Sequence, residues 1–148
     1  MCDIIEITEK NTMLLYNFII NNTLPNTFRY FNKRSINVIK NHLITIILLD
    51  KELPVGYAHI DFDDNKFWFG ICILEKYQGN SYGKKIMEYI FNNEKIKNID
   101  KIYLTVDKIN TVAINLYKKF NFYIINEKET YFTMCYLHNS KTFVENIK

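Results

Sequence analysis

WFGICILEKYQGNSYGKKIMEYIFNNEKIK, residues 68 to 97, is the stretch whose reading decides the fold. An apolar strand pattern from Phe67 to Leu74 enters a short polar turn at Glu75, Lys76 and Tyr77. Gln78-Gly79-Asn80-Ser81-Tyr82-Gly83 follows, and then a helix with Ile86, Met87, Tyr89, Ile90 and Phe91 spaced for burial. A strand, a glycine-bearing loop and a helix make a candidate phosphate cradle. The first N–H groups of a helix have no intrahelical partner, and the helix dipole adds partial positive charge there. Two well-known cradles are excluded by spacing. Gly79 and Gly83 stand one residue too close for G-x-x-x-x-G-K-[ST], Lys85 rather than Ser or Thr follows Lys84, and G-x-G-x-x-G is absent.

The loop resembles the [QR]-x-x-G-x-[GA] signature of the GCN5-related N-acetyltransferase (GNAT) family, matching at Gln78 and Gly83. Ser81 replaces the central glycine, which is tolerable only if that position avoids positive φ or Ser can bear it. A second segment, LTVDKINTVAINLYKKFNF from Leu104 to Phe122, resembles the family's V-x-x-x-N-x-x-A-x-x-L-Y-x-K-x-G-F element. It matches at Val106, Asn110, Ala113, Leu116, Tyr117, Lys119 and Phe122, with Asn121 in place of the glycine. Asn is the commonest non-glycine residue in the left-handed conformation that ends helices, so the swap preserves a C-cap.

The resemblance covers Val55 to about His138. It implies an α/β chain with the GNAT (acyl-CoA N-acyltransferase) fold, a mixed, mostly antiparallel sheet with helices on both faces. The order of elements fits. Cys2 to Thr8 reads as an opening strand, and Asn11 or Thr12 caps a helix with Met13, Leu14, Tyr16, Phe18, Ile19 and Ile20 on its apolar face. TFRYFNKRS precedes a short helix over residues 35–41. Leu43 to Leu49, Val55 to Phe62 and Lys66 to Ile73 form a meander, with turns at residues 50–54 and 63–65. After the cradle helix come strands at 101–106, 122–126 and 131–138, with a helix at 111–120 between the first two. Residues 139–148 form a polar tail on a single domain spanning 1–148.

Composition sets outer bounds. With 19 Lys and Arg against 16 Asp and Glu, the net charge is +3 and no basic block marks a nucleic-acid binder. Cys2, Cys72 and Cys135 are odd in number and lack C-x-x-C spacing, so neither a disulfide framework nor a metal site is expected. No stretch approaches the ~20 apolar residues of a membrane span, and a cytoplasmic protein with no membrane partner is expected. A homodimer is compatible with the sequence.

The resemblance also implies roles. Acetyl-CoA would be the acetyl donor, its pyrophosphate on Gln78, Gly79, Asn80, Ser81, Tyr82, Gly83 and Lys84. The carbonyl and pantetheine amides would meet the backbone of Ile71, Cys72 and Ile73, on a strand splayed from the next. Cys72 reads as a small strand residue rather than a nucleophile, since no His or acid pairs with it in sequence. Tyr117 matches the tyrosine that protonates the coenzyme A thiolate. Asn110 would contact pantetheine or cap its helix.

A glutamate near the start of the cradle strand, common in the family, is replaced here by Phe67 or Trp68. His59 and Asp61, on one face of the preceding strand, are the alternative bases. Arg29, Tyr30, Phe31 and Trp68 would line the acceptor side. Cations interleaved with aromatic rings suit an amino sugar carrying phosphate or nucleotide. Asp61, Asp63 and Asp64 would instead suit a polyamine or aminoglycoside. Protein N-terminal or lysine acetylation stays open, as does a non-catalytic acetyl-CoA-sensing module.

Overall fold

The computed structural model describes residues 2–138. The polar tail read from the sequence lies outside the described residues. Seven strands make one sheet: β1 (Cys2–Glu6), β2 (His42–Asp50), β3 (Leu53–Asp63), β4 (Lys66–Ile73), β5 (Lys101–Asp107), β6 (Phe122–Glu127) and β7 (Tyr131–Leu137). Helix α1 spans Thr12–Ile20, α2 Tyr82–Phe91 and α3 Thr111–Lys119. The spatial order is β1-β2-β3-β4-β5-β7-β6, all antiparallel except β4 beside β5.

The meander follows from its turns. Lys51 and Glu52 have φ of 52° and 69°, and Asp64 and Asn65 have 53° and 59°. Two successive residues at positive φ make the turn whose twist matches a two-residue hairpin. β2 is buried from Ile44 to Leu48 because both of its faces are covered. Ile44, Ile46 and Leu48 join Ala58, Ile60 and Phe69 under Ile86, Met87 and Ile90 of α2. Ile47, Tyr57 and Cys72 face the other way, onto Leu15, Phe18 and Phe28.

Two local expectations, both about α1, are corrected. α1 buries Leu15 and Phe18, whereas Met13, Tyr16 and Ile20 are exposed. Its sequence is apolar nearly all round, so spacing alone does not select the face. Asn11 does not cap α1 with its side chain. Its Oδ1 accepts from Thr8 N–H at 2.7 Å and its Nδ2 donates to the Glu6 carbonyl at 3.0 Å, tying the β1–α1 turn instead. The short helix at 35–41 is a 3₁₀ helix, Ile36–Asn41, with the Ser35 hydroxyl accepting from Asn37 N–H.

Candidate active site

β4 and β5 run in parallel but meet at a single rung, Trp68 opposite Tyr103. From there toward Ile73 the strands part, leaving the β5 side of β4 without a ladder. The opening leads onto the loop at 78–81 and the start of α2. The result is a cleft of about 960 Å³ lined by Ile71, Cys72, Ile73, Gln78, Gly79, Ser81, Tyr82, Gly83, Lys84, Asn110 and Tyr117. Eleven of the twelve residues expected from sequence to hold the donor therefore line one space. Pro25, Thr27, Val112, Asn115 and Leu116 line it too. Leu116 reads from sequence only as a motif position, while Pro25, Thr27, Val112 and Asn115 belong to no motif and reach the cleft only through the fold.

The twelfth, Asn80, does not line the cleft. Its side chain donates to the Tyr77 carbonyl at 2.9 Å and shapes the loop from within. Gln78 does something similar, its Nε2 donating to the Ile73 carbonyl at 3.0 Å, so this side chain pins loop to strand. Gly79 has φ +84° with open space where a Cβ would stand. Ser81, in the signature's glycine position, has φ 64° and ψ 18° at the N-cap of α2. Ser therefore bears the left-handed conformation rather than avoiding it, and its side chain makes no cap bond. Gly83 faces α3, where a Cβ would approach Leu116 Cδ2 to 3.1 Å.

α3 supplies the opposite wall. Asn110 caps it, its Oδ1 accepting from Ala113 N–H at 3.3 Å, and Asn121 just beyond its end has φ 69°, the conformation its glycine-like role requires. Tyr117 is buried against Phe69 and Phe122 while facing the cleft. Among the described residues its hydroxyl has no hydrogen-bond partner, and burial pushes its pKa well above the usual phenol range, so it holds its proton. Burial likewise pushes the Cys72 thiol up, which fits a packing residue rather than a nucleophile.

The residues expected to line the acceptor side do not join this cleft. Arg29 pairs with Asp107 through both guanidinium nitrogens, at 3.2 and 3.0 Å. Phe31 packs edge-on to Tyr57 in the core beneath α1. Trp68 packs beside Tyr103 and donates its indole N–H to the Asp63 carbonyl at 3.2 Å.

Tyr30 instead belongs to a polar cluster on the α1 face of the sheet with His59 and Asp61. His42, Thr45 and Tyr57, which sequence reading had not singled out, complete it. Tyr30 Oη donates to Asp61 Oδ2 at 2.7 Å and lies 2.8 Å from His42 Nε2, while His42 Nδ1 is 2.8 Å from Thr45 Oγ1. Tyr57 Oη is 2.6 Å from His59 Nδ1. Burial pushes His42 down to about 4, and His59 well below the usual imidazole range, so both rings are neutral at pH 7. Counting back from the turn at residues 50–54 would pair Thr45 with Ala58, but the irregularity between Leu48 and Leu49 shifts the register by one and sets Thr45 opposite His59, which the sequence alone does not reveal.

The model of the acetyltransferase (GNAT) family matches residues 16–122. The chain belongs to the GNAT family. It is 30% identical over 117 residues to a probable N-acetyltransferase, san, of Drosophila melanogaster, covering 75% of this chain and 64% of that protein's length. Among solved structures, a GNAT acetyltransferase of Streptococcus pneumoniae superposes with a TM-score of 0.69 at 19% identity, covering 93% of this chain and 99% of the other. An N-acetyltransferase of Thermoplasma acidophilum, solved in complex with coenzyme A, gives 0.68 at 15% identity, with 93% and 99% covered. At these identities the two structures establish the family fold, including the sheet into which the cleft is cut.

The cleft fits a donor of the acyl-CoA kind on its own geometry. It offers unladdered strand backbone at one end, unpaired helix N–H groups at the other, and no side chain over Gly79 between them. No helix of the described residues is long and apolar enough to cross a membrane.

Proposed function

We propose that this protein transfers an acetyl group from acetyl-CoA to a primary amine of a small molecule, an amino sugar being the acceptor we favour. The observation that carries the proposal is the split between β4 and β5 opening directly onto the glycine loop and the start of α2. Bound acetyl-CoA would supply an activated thioester carbonyl. The N–H groups at residues 79–84 would hold its pyrophosphate, with Lys84 adding charge. The free edge of Ile71, Cys72 and Ile73 would take the pantetheine amides and polarise the carbonyl. Tyr117, kept protonated by burial, is placed to give a hydrogen bond or proton to the departing sulfur.

The acceptor would approach from the α1 face, where Tyr30, His59 and Asp61 cluster. Support for an amino sugar comes from rings and cations at this end. Arg34 lies 4.4 Å from the centre of the Tyr30 ring, and the Trp68 and Tyr103 rings stand 5.5 Å apart at the closed end of the split. Arg29 contributes less than its sequence position suggested, because Asp107 already neutralises it.

The test is calorimetric titration with acetyl-CoA, followed by thiol release with glucosamine 6-phosphate, a nucleotide-linked amino sugar, spermidine, an aminoglycoside and an N-terminal peptide. Preferred turnover of an amino sugar supports the proposal. Turnover of another amine alone keeps the transfer and overturns the acceptor, and tight binding without thiol release for any amine points to an acetyl-CoA sensor.

A further inference from the structure

The two halves of the split sheet are joined at both ends of the opening. At one end stands the rung of Trp68 opposite Tyr103. Asp107 ends β5 four residues further on, roughly 13 Å away at the usual strand rise. Tyr103 and Asp107 share one face of β5, since Ile102, Leu104 and Val106 alternate with them and pack under α2 and α3 on the other. There Arg29 takes the Asp107 carboxylate with both terminal nitrogens, at 3.2 and 3.0 Å.

Arg29 belongs to the opposite half of the molecule. Its neighbours Phe28 and Phe31 set their rings 5.6 and 5.5 Å from that of Tyr57 on β3. A segment anchored on β3 and tied to β5 crosses the level of β4, which lies between them, on the α1 face. Residues of the cleft wall flank the ion pair on each side. Pro25 and Thr27 precede Arg29, Asn110 follows Asp107, and all three line the cleft. The pair therefore ties the two walls together from just outside the lining.

The guanidinium does more than meet a charge. Its Nη1 also donates to the Asn26 carbonyl at 2.8 Å, and the Phe28 N–H donates to the Pro25 carbonyl at 2.9 Å. One side chain thus fixes the shape of the turn that carries Pro25 and Thr27 and its distance from β5. Two-pronged binding sets direction as well as separation. The Arg29 side chain is 59% exposed against 20% for Asp107. An ion pair so open to water can part and re-form, which a core contact cannot do without unfolding its surroundings.

We infer that Arg29 and Asp107 are positioning residues for the donor: their ion pair is a clasp that draws Pro25 and Thr27 over the open end of the split and holds them against a bound coenzyme. The role rests on the reading of the cleft as the donor site. What the clasp retains is the arm of the coenzyme along Ile71, Cys72 and Ile73, whereas the diphosphate at residues 79–84 gains nothing from it. Arg29, whose charge Asp107 takes up, has a part in the site without touching the acceptor.

The test is calorimetric titration with coenzyme A and, separately, with 3′-phosphoadenosine 5′-diphosphate, which lacks the pantetheine arm. Arg29→Gln and Asp107→Asn should each weaken coenzyme A about fivefold, the worth of one well-formed ion pair, and leave the fragment's affinity at the parent value. The two substitutions change the local charge in opposite directions, so a shared loss reports the pair and not the field around it. The exchanged pair, Arg29→Asp with Asp107→Arg, should recover coenzyme A affinity to within about twofold of the parent. Parent-like affinity in either single variant, equal weakening of the fragment, or no recovery in the exchanged pair overturns the clasp while leaving the donor site in place. A parent that binds no coenzyme A overturns the donor reading, and the clasp with it.

Discussion

Gly70 lies directly across the β3–β4 ladder from His59, and a Cβ placed on it would come within 2.7 Å of the imidazole Cε1 and Nε2. The glycine gives the ring its room. His59 is buried and tied to Tyr57, so it has no free rotamer to retreat into. Gly70→Ala should therefore lose about 1–3 kcal/mol, the usual penalty of overpacking. In a double-mutant cycle with His59→Ala, urea unfolding should show most of that loss recovered. Additive losses would mean that the contact is not what Gly70 relieves.

Ser81 is a second place where one residue's backbone tells on the whole loop. A non-glycine residue in the left-handed region costs on the order of 1 kcal/mol or more. Part of the gain from glycine is returned as entropy of the unfolded chain. Ser81→Gly should stabilise the fold by about 0.5–1 kcal/mol while leaving acetyl-CoA affinity near the parent value. A lower denaturation midpoint would show that the Ser81 side chain makes a contribution its geometry does not reveal.

Gly83 is constrained from the α3 side, where a Cβ would meet Leu116 Cδ2 at 3.1 Å. Gly83→Val should push α2 from α3 and weaken acetyl-CoA binding at least tenfold, with a smaller loss of stability. Titration calorimetry on the folded variant is the measurement. Parent-like affinity would remove the start of α2 from the donor site.

The parts of this fold legible in the sequence were those with local physical causes. Positive-φ turns, the Gly79 loop, the capping role of Asn110 and the glycine-like conformation of Asn121 each follow from a residue and its immediate neighbours. What was not legible depended on partners distant in the chain. Arg29 reads as a free cation until Asp107 is seen beside it, 78 residues away. Leu14 reads on the buried face of α1 and Leu15 does not, and only packing against Ile47, Tyr57 and Cys72 of the sheet shows that Leu15 is the fully buried one. His42 and Thr45 carry no motif at all. They join the polar cluster only because strand register brings them to Asp61 and His59.

The neutral histidines predict an acid limit to stability. Burial is the main cause of the fall in His42 to about 4 from 6.5, with Asp61 opposing it and Arg34 adding to it. The folded state therefore resists a proton that the unfolded chain accepts. The contribution is complete above the unfolded value near 6.5 and is lost as pH falls from there toward 4, by roughly 3 kcal/mol in all. His59, lowered in the same direction, steepens the loss. Urea midpoints should fall between pH 6.5 and 4.5 in the parent and fall less in His42→Gln. Equal slopes would mean that other groups govern the acid limb.

Tyr117 offers the most direct test of the chemistry, because its two possible roles separate cleanly. Its ring packs on Phe69 and Phe122, whereas its hydroxyl faces the cleft with no hydrogen-bond partner among the described residues. Tyr117→Phe keeps the first and deletes the second. Burial raises the hydroxyl's pKa, so the group is protonated throughout the neutral range and ready to donate, though it is a weaker acid than a free phenol. A donor placed at a departing sulfur typically accelerates transfer by ~10²- to 10⁴-fold, and the weakened acid argues for the lower end. Turnover should fall about 100-fold at unchanged acetyl-CoA affinity and unchanged melting temperature. Parent-like turnover at saturating substrates would assign the sulfur's proton to water and leave Tyr117 as packing for α3.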